Sequence, residues 1–374
     1  MNKFCLAPEN GLAIFPNGRI SPCCAYDDVE DEMPKHPKDL MSYLNNPALK
    51  NVIHKQQTQN QHPGCSKCIS KEQFSKTSQR QLFNKYAPFS PGIKHLDLSL
   101  SNLCNLKCRM CNSFLSTSWQ KDDQLLGRPV HKRRDFSMDW LIQNQAHLQN
   151  LETIEMKGGE PFMHGEYLKF LQAFESQLPN ISLRITTNGT TIPVWINELK
   201  KFKQVRISVS FEGTDEIYQY IRGGKYSFQD FENNFKTLLK MFQDSPHVEF
   251  KPMFTFQIYN IWNFSLAWQW ATQFKNQFQD QIVLERFTNI VFKPTYLNPQ
   301  LIPHSLRLEI IRELEPLDHT NLINYISLMI SPDIENNQKL FDEFKTFTKT
   351  LDQSRNENLT TVEPRFQRLF DAIF

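Results

Sequence analysis

Six strand-like runs alternate with helical segments between residues 91 and 300, and this alternation constrains the fold of the chain most strongly. The runs cover residues 93–100, 151–156, 181–187, 205–210, 248–256 and 289–293. In the segments between them, such as 165–176 and 228–242, apolar residues recur at steps of three and four, which indicates amphipathic helices. Alternating strands and helices form a parallel sheet, which right-handed crossovers curl into an open barrel. We therefore predict an α/β fold with a partial (β/α)6 barrel over residues 91–300.

Residues that could bind ligands or take part in catalysis lie at the carboxyl ends of these runs. They are Cys104 after the first run, Gly158, Gly159 and Glu160 after the second, Asn188 after the third, Ser210 at the end of the fourth and Gln257 after the fifth. In (β/α) barrels the loops at this rim converge and hold ligands. The sequence therefore predicts a functional site at the carboxyl-terminal rim of the sheet.

All eight cysteines lie within the first 111 of the 374 residues. We expect a cytoplasmic protein, because the N-terminus lacks the apolar core of a signal peptide and no apolar run is long enough to cross a bilayer. In the cytoplasm thiols stay reduced, so clustered cysteines indicate metal or cluster ligands before disulfides. The formal charge of +2 is close to balance, and we expect neither a nucleic acid nor a membrane partner.

Three of the cysteines, Cys104, Cys108 and Cys111, form a compact motif. A structural zinc ion or an ordinary iron–sulfur cube takes four thiolates. Three thiolates leave one coordination position open, which is typical of a catalytic metal centre.

This cysteine spacing after one strand, with Gly158-Gly159-Glu160-Pro161 after the next, resembles the radical S-adenosylmethionine (radical SAM) superfamily. The resemblance implies that the three thiolates hold three irons of a [4Fe–4S] cube. It also implies that the fourth iron binds the amino and carboxylate groups of SAM. One electron then cleaves a carbon–sulfur bond of SAM and leaves a 5′-deoxyadenosyl radical, which is chemistry that belongs to the cofactor rather than to the protein.

The resemblance also implies roles for individual residues around SAM. Glu160 matches the acidic residue that binds the SAM amino group, and Gly158 and Gly159 allow a close approach of the backbone. Ser210 and Arg222 resemble the pair that binds the methionine carboxylate, for which the donor fork of arginine is suited.

Three further residues are related to the SAM site by this resemblance. Asn188 and Gln257 are candidates for additional SAM contacts. Met110 stands where the family usually has an aromatic residue beside the adenine, and its adaptable side chain is an apolar substitute.

The N-terminal cysteines form a second set. The turn signal Pro16-Asn17-Gly18 between two short apolar pieces predicts a β-hairpin. Cys5 precedes this hairpin and Cys23 follows it, so the hairpin would bring the two thiols together. Cys65 and Cys68 form a knuckle of the kind that wraps a metal.

This second set is similar to the SPASM and twitch extensions of radical SAM enzymes, which bind auxiliary [4Fe–4S] clusters. The count suits one auxiliary cluster held by Cys5, Cys23, Cys65 and Cys68. Cys24 adjoins Cys23, and we favour Cys23 because Pro22 and the hairpin fix its position. A four-cysteine zinc site is the alternative for these residues.

These patterns divide the chain into an auxiliary-cluster module over residues 1–90, the barrel over 91–300 and a helical extension over 301–374. We expect helices near 40–56, 304–330, 335–353 and 363–373.

The resemblance implies an enzyme of the radical SAM oxidoreductase or maturase type. It would abstract hydrogen from a peptide or protein side chain in a net oxidation assisted by the auxiliary cluster. Its electrons would come from an external low-potential donor such as a flavodoxin or ferredoxin. One alternative is a dehydrogenase or epimerase of a small polar metabolite. Another, of a different class, is a non-catalytic iron–sulfur or zinc protein, which would have no use for Glu160, Ser210 and Arg222.

Overall fold

The computed structural model of the chain describes residues 4–28, 31–58, 62–72, 78–85, 92–285, 287–291, 293–314, 329–330 and 337–372. The strands in these residues are β1 (Gly11–Ile14), β2 (Ile20–Ser21), β3 (His95–Leu98), β4 (Thr153–Met156), β5 (Ser182–Thr187), β6 (Gln204–Phe211), β7 (Val248–Phe256) and β8 (Thr288–Ile290).

The α-helices of the same residues vary from one turn to five. They are α1 (Ala7–Asn10), α2 (Leu40–Leu44), α3 (Pro47–Gln57), α4 (Ser66–Glu72), α5 (Gln79–Phe83), α6 (Gln120–Leu125), α7 (Met138–Gln143), α8 (Glu166–Ala173), α9 (Asp215–Arg222), α10 (Phe228–Met241), α11 (Phe264–Phe278), α12 (His304–Leu314), α13 (Asn337–Arg355), α14 (Leu359–Val362) and α15 (Arg365–Ala372). None of these described helices is long and apolar enough to cross a membrane.

The strands form one sheet in the order β2-β1-β3-β4-β5-β6-β7-β8. The pairs β1–β3, β3–β4, β4–β5 and β7–β8 are parallel. A mostly parallel sheet with helices between its strands is the predicted α/β class and is consistent with a radical SAM partial barrel. Each of the six predicted strand-like runs contains or overlaps a strand, and position 292 of the last run lies outside the described residues.

The predicted N-terminal hairpin is confirmed, because β1 and β2 pair antiparallel with Ile14 opposite Ile20. The turn between them places Gly18 at a φ of 80°, where a Cβ atom would clash with the ring of His36. Strand β1 also pairs in parallel with β3, with Gly11 opposite His95. The hairpin therefore extends the sheet rather than standing apart from it.

The chain separates into two compact units that do not follow the predicted boundaries at residues 90 and 300. The first unit comprises 1–102, 133–185 and 193–205, and the second comprises 103–132, 186–192 and 206–374. The division into an auxiliary-cluster module, a barrel and a helical extension stays a prediction.

The predicted helices and the observed helices differ mainly in where the helices begin and end. The helix expected near 40–56 is two helices, because Asn46 caps α3 through the backbone N–H of Ala48 and Pro47 occupies the first helical position. At the C-terminus α12 and α15 lie within the expected regions 304–330 and 363–373, and α13 overlaps the expected region 335–353 but continues to Arg355. Residues 315–328 and 331–336 fall outside the described part.

Candidate metal centres

The loop that carries the three-cysteine motif belongs to the second unit and is held by hydrogen bonds to its carbonyl groups. The hydroxyl of Ser118 donates to the Cys104 carbonyl at 2.8 Å. The indole Nε1 of Trp119 donates to the Cys108 carbonyl at 2.8 Å, and the Cys111 N–H donates to the same carbonyl at 2.8 Å. The structure therefore fixes the backbone from which all three thiols project.

The three cysteines are half-buried, and their thiols interact electrostatically with one another. Burial raises the pKa of Cys108 to about 12, and Cys104 adds to this shift while Arg222 opposes it. Burial, followed by the neighbouring Cys108 and Cys104, also raises the pKa of Cys111. A group of interacting thiols suits soft metal ions, whose coordination deprotonates the ligands and offsets their repulsion. The donor set therefore fits three irons of an iron–sulfur cube.

The side chain of Asn188 lies beside this motif. Its Nδ2 is 3.8 Å from the Cys104 sulfur and donates to Asn105 Oδ1 at 2.9 Å. Its Oδ1 accepts from the backbone N–H of Thr190 at 2.9 Å, so the amide orientation is fixed. The SAM contact of Asn188 stays a prediction, and the structure places its amide next to Cys104, a predicted cluster ligand. Hydrogen bonds to such sulfurs tune the reduction potential of a cluster.

Arg222, at the end of α9, is buried and paired. Its Nη1 donates to Glu212 Oε2 at 2.7 Å, and burial raises the pKa of Glu212 despite this partner. The Nε of Arg222 has no hydrogen-bond partner among the described residues. A buried guanidinium with a spare donor fits a ligand carboxylate. Sequence reasoning assigned no role to Glu212, although it stands two residues after Ser210 on the same chain segment.

Ser210, Gln257 and Met110 also belong to the second unit. Ser210 is half-buried on β6, while the next residue, Phe211, packs into the core. Gln257 follows β7, is completely buried, and places its Nε2 3.9 Å from the sulfur of Met110. The structure thus brings together the predicted glutamine contact and the residue at the predicted adenine position.

The Gly158-Gly159-Glu160 triplet lies in the first unit, directly after β4. Gly158 and Gly159 have φ angles of 80° and 55°. Glu160 is 2% exposed, and its Oε1 accepts from the backbone N–H of Phe162 at 2.9 Å, which caps a short 3-10 helix. The triplet therefore combines a left-handed backbone with a buried, oriented carboxylate.

We expect Gly158→Ala to destabilise the protein by about 1–3 kcal/mol, because φ at this position is strained for any residue with a Cβ atom. That Cβ atom would also lie 2.4 Å from Ser99 Oγ. Gly165→Ala is the matched control, since a Cβ atom there meets nothing within 4 Å. Denaturant unfolding of both variants measures the difference. Equal midpoints for the two variants would contradict the described backbone.

The four predicted auxiliary ligands lie together in the first unit. Cys5, Cys23, Cys65 and Cys68 line one pocket, which also contains Arg80. Burial raises the pKa of Cys5 to about 12, with Arg80 opposing this shift, and burial raises the pKa of Cys65 to about 11. Four thiols that line one pocket suit an iron–sulfur cube, whereas the described residues place no three of these sulfur atoms within 4.8 Å of one another, a spacing wider than one zinc ion takes.

The sulfur atoms of Cys5 and Cys65 accept hydrogen bonds from neighbouring groups. The backbone N–H of Ala7 donates to Cys5 Sγ at 3.4 Å, and Gln56 Nε2 donates to Cys65 Sγ at 3.3 Å. Such donors stabilise thiolates, so the pocket is prepared for ligand sulfurs that carry negative charge.

Cys24 does not line this pocket. Its thiol interacts with the Asp97 carboxylate and lies near Lys157, and its pKa is raised to about 12 chiefly by burial. The side chains of adjacent residues thus face different surroundings, which supports Cys23 rather than Cys24 as the pocket ligand.

Residues 98–250 match the family model described as the radical SAM superfamily. This segment contains the three-cysteine motif, the glycine-glutamate triplet and Arg222. The match therefore covers the middle of the chain and leaves residues 1–97 and 251–374 outside it.

Curated relatives are similar to about a third of the chain. A GTP 3′,8-cyclase from Campylobacter jejuni (strain RM1221) is 26% identical over 127 residues, which are 34% of this chain and 37% of the relative. A probable GTP 3′,8-cyclase from Pyrococcus abyssi (strain GE5 / Orsay) is 26% identical over 136 residues, 36% of this chain and 40% of the relative. The match thus spans little more than a third of these relatives.

Solved structures show more distant similarity. The structure of anSMEcpe with bound AdoMet is 18% identical with a TM-score of 0.45, covering 63% of this chain and 60% of that one. SuiB from Streptococcus suis, bound to its precursor peptide SuiA, is 15% identical with a TM-score of 0.36, covering 73% and 52%. These similarities are too low to assign a substrate.

Proposed function

We propose that the chain is a radical SAM enzyme that reductively cleaves SAM and abstracts hydrogen from a substrate. The observation that carries this proposal is the group of three half-buried cysteines, Cys104, Cys108 and Cys111, within the segment that matches the superfamily. The unpartnered Nε of buried Arg222 supports it, because an iron–sulfur protein that only carries electrons needs no carboxylate-binding donor.

The residues of the chain have separate tasks in this proposal. When bound and reduced, the cluster supplies the electron that cleaves SAM into methionine and a 5′-deoxyadenosyl radical. Arg222 binds the methionine carboxylate, and Ser210 adds a hydroxyl. Asn188 orients the Cys104 sulfur, while Gln257 and Met110 line the adenine position. Glu160, with Gly158 and Gly159 before it, binds the SAM amino group, an assignment that comes from the sequence motif.

For the substrate we favour a peptide or protein side chain, with an external low-potential flavodoxin or ferredoxin as the electron donor. The four-thiol pocket of the first unit supports a net oxidation, because a second redox centre can take up the electron left on the substrate. A small polar molecule is the alternative, and the name GTP 3′,8-cyclase of the curated relatives favours it.

The experiment combines SAM binding with SAM cleavage in anaerobically reconstituted protein. With dithionite as reductant, we expect SAM to yield 5′-deoxyadenosine and methionine, measured by chromatography. Arg222→Gln should weaken SAM binding by about tenfold or more, the value of a hydrogen bond to a charged group. Glu160→Ala should have an effect in the same direction.

Glu212→Gln is the matched control, because it disturbs the same buried ion pair and leaves the Arg222 guanidinium in place. It should retain SAM affinity within a few-fold of the unmodified protein. Iron-loaded protein that forms no 5′-deoxyadenosine would refute the proposed activity. Unchanged SAM affinity in both Arg222→Gln and Glu160→Ala would show that SAM binds elsewhere.

A further inference from the structure

The cysteine loop contains a buried arginine whose partners come from the C-terminal end of the chain. Arg109, between Cys108 and Met110, is completely buried, and its Nη2 donates to Asp352 Oδ1 and Glu357 Oε2, both at 2.5 Å. Asp352 lies near the end of α13, and Glu357 lies in the turn that follows it. Both residues are outside the segment that matches the superfamily.

Further contacts hold Arg109 from the side of α9. Its Nε donates to the Tyr220 carbonyl at 3.0 Å, its guanidinium stacks 3.6 Å from the Tyr220 ring centroid, and its backbone N–H donates to the Ile221 carbonyl at 2.8 Å. The Tyr220 hydroxyl in turn donates to Asp352 Oδ1 at 2.9 Å. The arginine therefore links the cysteine loop, α9 and the end of α13 in one network.

A second buried ion pair connects the same elements. Arg355, the last residue of α13, donates through Nη2 to Asp122 Oδ2 at 2.9 Å, and both side chains are at most 3% exposed. The Arg355 guanidinium lies 5.1 Å from the ring of Trp119, whose indole donates to the Cys108 carbonyl. Trp119 also stacks on Phe347 of α13, with ring planes 8° apart.

We propose that residues 337–362 form a brace that positions the cysteine loop for its cluster, with Arg109 and Arg355 as positioning residues. A buried guanidinium is stable only when its counter-charges are in place. The loop therefore reaches this conformation only when α13 and the turn after it supply Asp352 and Glu357. This inference rests on the proposed function in one respect, namely that the cysteine loop binds an iron–sulfur cluster.

The test is amide hydrogen exchange on cluster-free, full-length protein. In Arg109→Gln, amides within 104–122 should exchange at least about tenfold faster, because the lost bonds join charged groups. Amides of β7 should keep their rates. Arg109→Lys should be intermediate, since an ammonium group lacks the fork that contacts both carboxylates and the Tyr220 carbonyl. Arg365→Gln is the matched control, because Arg365 belongs to the same C-terminal region and pairs with Glu363 near the surface.

A second measurement follows iron release to a chelator after reconstitution, and Arg109→Gln should release iron at least several-fold faster than Arg365→Gln. Unchanged exchange in 104–122, or an equal rise throughout the chain, would overturn the brace. If Arg109→Gln does not fold, Asp352→Asn, which leaves Glu357 to pair with Arg109, is judged by the same criteria. Failure of the unmodified protein to bind iron would refute the proposed function, while the exchange result would still decide the brace.

Discussion

Replacing Cys104, Cys108 and Cys111 together by Ala should remove about four of about eight irons per chain and abolish 5′-deoxyadenosine formation. A [4Fe–4S] cube holds four irons, and in the proposed function each of the two cysteine sets would hold one cube. The loss is expected to be complete for this cube, because no described side chain among the neighbours offers a replacement thiolate. Iron and sulfide analysis of anaerobically purified protein, with a SAM cleavage assay, gives both quantities.

Met110→Leu is the control for this variant, because it changes a residue of the same loop without removing a thiol. It should keep all the iron. A triple variant that retains about eight irons would show that the cysteines of 104–111 are not cluster ligands. A triple variant that loses all of its iron would show that the two cysteine sets do not bind independently.

Local patterns predicted the strands that surround these sites. Residues 248–256 form β7 with the predicted bounds, because buried and half-exposed side chains alternate along the whole strand. The turn at Asn17-Gly18 predicted the hairpin for a similar local reason. The pairing of β1 with β3 was not predictable, since a four-residue apolar strand carries no signal for its parallel neighbour.

The candidate sites show the same limit. Cysteine spacing predicted the two candidate ligand sets, because the cysteines of each set lie within one part of the chain. The bond from Arg109 to Asp352 joins residues 243 positions apart, and neither residue stands in a pattern that indicates the other. The position of Cys24 also depended on the fold, because only the packing of the first unit places its thiol against Asp97.

Removing one auxiliary thiol should separate SAM cleavage from substrate oxidation. Cys65→Ala leaves three of the four thiols in the pocket of the first unit, so any cube that remains there has an open iron. We expect this variant to stop substrate oxidation while 5′-deoxyadenosine formation continues. Cys24→Ala should keep all its iron and full turnover, because the Cys24 thiol lies outside that pocket. Zinc in place of half the iron in the unmodified protein would instead establish the alternative site.

The physical reason for this separation is electron balance. The 5′-deoxyadenosyl radical takes one hydrogen atom from the substrate, and the substrate radical must then lose one electron and one proton to become a stable product. If Cys5, Cys23, Cys65 and Cys68 all bind one cube, no iron of that cube is open to the substrate, and the cube would accept that electron. The product should be lighter than the substrate by two hydrogens, and one SAM should be consumed per turnover.

In Cys65→Ala, mass spectrometry should find no such product. Full turnover in this variant, or deuterium returned from 5′-deoxyadenosine to the substrate, would contradict electron transfer and leave the N-terminal cysteines with a structural role.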